Sequence, residues 1–208
     1  MELLFSFGAF AVIALLAAVS PGPDFLVVSK NAVANSRTAG MWTAVGVGSA
    51  LLIHVTYTLV GIGLIISRSI LLFSIIKILG ALYLIWLGAT ILLSKGQGQI
   101  SAPHGAPTYK SSLTAFKEGF LTNVLNPKAT VFFVSIFTQF VSPTLPKIIQ
   151  VAYGIEVAFI VGTWFVALSI LLTVPFVQHN VGAIQAKLMK VMGAALILLG
   201  VKVAFSHR

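Results

Sequence analysis

The chain has 208 residues, 58% of them hydrophobic and only 8% charged, and its mean hydropathy is +1.05. A soluble domain carries about 25% charged residues, so the composition is that of an integral membrane protein. The net charge of +9 does not point to nucleic acid, because the 13 Lys and Arg are scattered singly between apolar runs, where membrane-flanking residues stand. In hydrocarbon the backbone must be satisfied internally, by a helical bundle or a closed barrel. The apolar runs are continuous rather than alternating, which excludes the barrel. With no cysteine, disulfides, thiolate metal sites and cysteine nucleophiles are excluded. Met1-Glu2 opens without a basic stretch, so no cleaved signal is expected.

At about 20 residues per span, the apolar runs predict six membrane helices. The first covers residues 3–28 and is interrupted by Ser20-Pro21-Gly22-Pro23-Asp24. Proline removes a backbone donor and clashes with the preceding turn, at roughly 3 kcal/mol each in a helix interior. A polar link with Lys30, Asn31, Asn35, Ser36 and Arg37 follows. The second span is 40–66, with His54, Thr56, Tyr57 and Thr58, and the third is 70–93, with Lys77, Tyr83 and Trp86. The only sizeable loop, 94–112, is rich in Gly and Pro and reads as a linker. The fourth span, 116–141, contains Asn126-Pro127-Lys128, and Pro143 and Pro146 end it. The fifth, 148–177, carries Glu156 and Trp164, and the sixth is 188–205.

The linker splits the chain into a first half at 1–93, a linker at 94–115 and a second half at 116–208. Lys77-Ile-Leu-Gly80-Ala81 returns in the last span as Lys190-Val-Met-Gly193-Ala194, and Pro23-Asp24 has a counterpart in Pro127-Lys128. Each half thus starts with a proline-broken helix. Three spans per half force opposite orientations, the 3+3 inverted-repeat plan of many secondary transporters, whose sites lie at broken helices. Seven Lys or Arg fall after spans one, three and five against four or five on the other side, which places both termini outside.

Asn126 before Pro127 reads as an N-cap followed by proline at the first helical position, and Ser20-Pro21 or Gly22-Pro23 reads alike. Each break therefore begins a half-helix with free amides and a positive dipole end. Asp24 and Lys128 stand in the first turns of these half-helices. A carboxylate near hydrocarbon costs on the order of 3 kcal/mol, which ordinary membrane helices avoid. Together the groups suit a zwitterion, with an acceptor for its ammonium and donors for its carboxylate. The plainer alternative is two Pro kinks whose charges pair with each other. Glu156 reads equally as a coupling carboxylate and as an end-of-helix residue snorkelling to the interface. His54 is a candidate proton relay, though a neutral packing histidine fits as well. Tyr83, Trp86 and Trp164 suit a pathway wall or a lipid-facing belt, and Glu118 and Lys117 suit the interface. Gly46, Gly48, Gly80, Gly88, Gly193 and Gly200 suit close helix packing. No clustered His and carboxylates suggest a metal, and no nucleotide-loop motif is present.

Ser20-Pro21-Gly22-Pro23-Asp24-Phe25 resembles the signature of the LysE/RhtB family of bacterial amino-acid exporters. So do Gly119-Phe120-Leu121-Thr122-Asn123 leading into Asn126-Pro127-Lys128-Ala129, and Gly80-Ala81-x-Tyr83-Leu84-x-Trp86-x-Gly88. The resemblance covers essentially the whole chain and looks most like the threonine and homoserine or homoserine-lactone branch. It implies a multi-pass protein of the bacterial inner membrane that exports amino acids by proton coupling. It carries the important positions onto Pro21, Gly22, Pro23, Asp24, Asn123, Asn126, Pro127 and Lys128. The expected partners are an amino-acid substrate, protons and the lipid bilayer, with a homodimer left open and no cofactor. The competing readings are an exporter of another small metabolite or cation, including basic amino acids, a membrane-embedded enzyme, and a scaffold. The enzyme lacks convergent acid, base or metal-ligating groups. The scaffold leaves Asp24 and Lys128 unexplained.

Overall fold

Both proline clusters end a helix and start another. In the computed structural model, which describes residues 2–93, 110–141 and 145–205, α1 (Glu2–Val19) stops before Ser20 and α2 (Pro23–Ala34) starts on Pro23. Further on, α5 (Ser112–Val124) stops two residues before α6 (Pro127–Phe140). The bends are similar, 62° between α1 and α2 and 59° between α5 and α6. The unbroken helices are α3 (Arg37–Arg68), α4 (Ile70–Leu93), α7 (Lys147–Leu171) and α8 (Pro175–Ala204). Among the described residues, three helices are long and apolar enough to cross a membrane, within α3, α4 and α7, or five when each bent pair counts as one span.

Two boundaries differ from the sequence reading for a shared reason. The first broken helix runs on through Lys30 and Asn31 to Ala34, where a polar link was expected. Asn31 is fully buried, and its amide donates to Thr43 Oγ1 at 2.8 Å and to Glu118 Oε2 at 2.9 Å. Its own Oδ1 accepts from Asn35 and Lys110. Neighbouring helices satisfy these polar groups, so their polarity does not end the helix. Glu118, expected at the interface, is half-buried in this cluster and pairs with Lys110. Likewise α8 starts at Pro175, well before the expected residue 188, because a helix tolerates the polar run after a proline at its N-terminus. The linker's residues up to 109, with Lys95, and also Pro143 and Arg208 lie outside the described residues. Ser111 caps α5 by accepting from Thr114 N at 3.2 Å.

Backbone-to-backbone contact assembles the bundle. A Cβ on Gly46 would stand 2.2 Å from Phe116 O, and one on Gly119 would stand 2.1 Å from Thr43 O, so α3 and α5 meet through their main chains. The α4–α8 seam is similar: a Cβ on Gly88 would lie 2.6 Å from Gly193 O, and one on Gly200 would lie 2.7 Å from Ala81 O. Small residues allow this approach where lipid supplies no hydrophobic drive. The buried core draws on α1, α2, α3, α4, α6, α7 and α8, with an aromatic cluster where α1, α6 and α7 meet. Phe10 is edge-on to Phe137 and Tyr153 at 5.5 and 5.1 Å, and Tyr153 donates to Ser6 Oγ at 2.8 Å. Outward, α4 exposes Leu71, Leu79, Leu82 and Trp86, a surface suited to lipid rather than water.

Candidate functional site

The two breaks lie against each other, and each sends its charge into the other. In α6, Asn126 is the N-cap, Pro127 the first helical residue and Lys128 the second; the Asn126 side-chain Oδ1 accepts from Lys128 N at 3.0 Å. In α2, Gly22 is the N-cap, Pro23 the first residue and Asp24 the second, and no side chain caps the helix. Asp24 Oδ2 accepts from Asn123 Nδ2 at 3.0 Å and from Asn126 Nδ2 at 2.9 Å, both at the α5–α6 break. In the reverse direction, Lys128 Nζ donates to Ser20 Oγ and, at 3.2 Å, to Pro21 O, at the α1–α2 break. Among the described residues the ion pair present is Lys110–Glu118, so Asp24 and Lys128 are held by neutral groups of opposite breaks and not by each other.

The arrangement leaves acceptors unused. Asp24 Oδ1 and Asn123 Oδ1 are buried and have no donor among the described residues. Buried acceptors in proteins are ordinarily satisfied, so two together are a chemical request for a donor. Their residues line a cavity together with Ser20, Gly22, Asn126 and Lys128. A second cavity lies toward α4 and α8, lined by Pro21, Tyr83, Trp86, Pro127, Lys128 and Met189. Lys128 borders both.

The remaining sequence candidates separate clearly. Tyr83 and Trp86 line the second cavity; Tyr83 donates to Lys128 O at 3.4 Å, and Trp86 is mostly exposed. Pro23 lines neither cavity and serves as the first residue of α2. His54 is buried and lines neither cavity. Its Nε2 donates to Asn123 O at 3.1 Å, and in that tautomer its Nδ1 accepts from Tyr57. It therefore holds the backbone of the residue that holds Asp24. Glu156 also lines neither cavity, and its Oε2 is buried without a partner among the described residues. Ser20, read from the sequence as a possible N-cap, is not the cap of α2 and instead accepts from Lys128 and lines the first cavity. The apolar lining of that cavity, including Leu51 on α3 and Val157, Val161 and Phe165 on α7, carries no signal that separates it from ordinary core.

Compared with known proteins, residues 15–207 match the family described as LysE type translocator. The chain belongs to that family. Its members are translocators, so the chain is a transporter and not an enzyme. It is 33% identical over 181 residues to the threonine efflux protein of Escherichia coli (strain K12), covering 86% of this chain and 87% of that protein. It is 34% identical over 203 residues to the leucine efflux protein of Salmonella typhi, covering 93% of this chain and 90% of that protein. No solved structure matches the chain.

Proposed function

We propose that this LysE-family translocator is a proton-coupled exporter of small neutral amino acids in the bacterial inner membrane, and that its substrate binds as a zwitterion where the two breaks cross. The reciprocal reach of Asp24 and Lys128 carries this reading. The substrate ammonium meets Asp24 Oδ1 and Asn123 Oδ1, acceptors that are buried and unsatisfied. Its carboxylate meets Lys128 and the N-terminus of α2, which lacks a side-chain cap and so presents amides and a positive dipole end. Sequence resemblance points to threonine and homoserine, and relatives of similar identity are named for threonine and for leucine efflux. The main-chain contacts serve all of these alike.

Six spans in two inverted halves fit the packing. Gly88 meets Gly193 while Gly200 meets Ala81, so the last helix of each half packs against the other through its small residues. Gly48 and Gly162 meet each other, as residues on a two-fold axis do. Alternating access then rocks the halves about the breaks, with Lys128 as the shared wall of the two cavities. Proton coupling follows if Asp24 binds either the ammonium or a proton, since one carboxylate cannot hold both.

Asp24→Asn keeps the shape and removes the charge. In membrane vesicles loaded with radiolabelled amino acids it is expected to abolish efflux while inserting at the wild-type level. Wild-type efflux from that variant would sink the assignment.

A further inference from the structure

The apolar part of the cavity lining has a consistent chemistry. Leu51 from α3, Phe132 and Phe133 from α6, and Val157, Val161 and Phe165 from α7 form it, and all are buried. The α7 residues recur at i, i+4 and i+8, so one stripe of that helix faces the cavity. Where α1 contributes, the lining is Ala14, Ala17 and Ala18, which leaves room for a branched group. No hydroxyl, amide or charge stands on these walls. Glu156, next to Val157 in sequence, does not line the cavity, and Thr163 is exposed.

We infer that the substrate's side chain is branched and aliphatic, as in valine, leucine or isoleucine, and that Val157 and Val161 set this preference against hydroxylated and basic amino acids. The inference rests on the zwitterion reading of the polar cluster. With the ammonium and carboxylate held there, the side chain is left to the apolar lining of the same cavity. A substrate hydroxyl on that wall leaves water and gains no partner, and a buried unsatisfied polar group is unfavourable by about 1–3 kcal/mol. A basic side chain fares worse, since an unpaired buried charge is costlier than a hydroxyl. Discrimination against a hydroxyl by an apolar wall is bounded, at roughly a hundredfold, so threonine is disfavoured and not forbidden.

Valine and threonine differ by one methyl-for-hydroxyl exchange, which makes them the decisive pair. The purified full-length chain is reconstituted in proteoliposomes loaded with radiolabelled valine or threonine, alone and in competition. Wild type is expected to export valine roughly tenfold to a hundredfold faster than threonine. Val157→Thr and Val161→Thr each place a hydroxyl on the wall, and the threonine-to-valine ratio is expected to rise about tenfold in at least one of them. Each variant's rate is normalised to its inserted protein, so poor folding does not imitate a change of ratio. Threonine export equal to or faster than valine export in wild type overturns the inference and leaves the exporter reading standing. So does a wild-type ratio preserved in both variants. Failure of wild type to export any amino acid faster than Asp24→Asn overturns both readings together.

Discussion

The two breaks have the same backbone plan and opposite chemistry. Each places an N-cap, a proline and then a charged residue at the start of a half-helix, with similar bends of 62° and 59°. At the second break Asn126 caps its own helix and donates to Asp24. At the first, Gly22 has no side chain with which to do either. The comparison shows why glycine stands where asparagine might be expected. A Cβ on Gly22 would lie 3.3 Å from Lys128 Nζ, so the missing side chain leaves the passage by which Lys128 reaches Ser20 and Pro21. The self-capped break supplies donors for a carboxylate, and the uncapped break receives a cation. In the zwitterion site proposed above, the two similar bends supply the two ends.

Removing the cation tests that polarity most severely. Lys128→Met keeps the length of the side chain and loses the charge. Truncating one partner of a buried charged contact costs roughly 2–5 kcal/mol, so transport is expected to fall by about thirtyfold or more, read as efflux from loaded proteoliposomes at matched protein. Lys128→Met transporting within a few-fold of wild type would separate the charge from the substrate. The next largest effect belongs to Asn126, whose two roles can be divided. Asn126→Ala loses the cap, worth about 1 kcal/mol of stability, and the donor to Asp24. Asn126→Ser retains a capping oxygen and loses only the donor. Thermal unfolding in detergent is expected to distinguish the two variants, with the serine variant close to wild type. Efflux is expected to fall about tenfold in both, since a hydrogen bond to a charged group is worth about 1.5–3 kcal/mol. Restored efflux in Asn126→Ser would mean that the cap alone matters.

Much of this geometry was legible in the residues. Proline after Asn126 announced a helix start, and the structure places the cap at that position. Glycines on α4 and α8 announced close packing; Gly88, Gly193 and Gly200 lie on the α4–α8 seam, and Gly80 packs against Ser135 of α6. What the sequence concealed came from long-range pairing. Asn31 reads as a polar link until Glu118 and Thr43, far away in the chain, arrive to bond it. His54 reads as a proton relay or a packing histidine, and its bond to the backbone of Asn123 is visible only in the fold. One alternative reading paired Asp24 with Lys128, whereas each is held by amide, hydroxyl or carbonyl groups of the opposite break. The apolar wall was invisible for another reason: Val157, Val161 and Phe165 have the spacing of any buried helix face, and only the cavity distinguishes them.

The smallest expected effect sharpens the comparison furthest. Gly22 has φ −175° and ψ −179°, an extended conformation that any residue adopts, so Gly22→Ala introduces no backbone strain. The new Cβ would have Lys128 Nζ at 3.3 Å and Lys128 Cδ at 3.5 Å as its nearest neighbours. Both atoms belong to a long flexible side chain that can shift by a few tenths of an ångström. Efflux is therefore expected to fall only about twofold to fivefold, with unfolding unchanged, since the perturbation is a shifted hydrogen bond and not a lost one. The double variant Gly22→Ala/Lys128→Met is the sharper measurement. If Gly22 is glycine only to admit Lys128, removing the lysine removes the reason for the glycine, and the double variant should transport as Lys128→Met does. Such non-additivity is the mark of two residues acting through one contact. Effects that instead multiply would give Gly22 a task independent of Lys128, such as a close approach of the breaks in another state of the transport cycle.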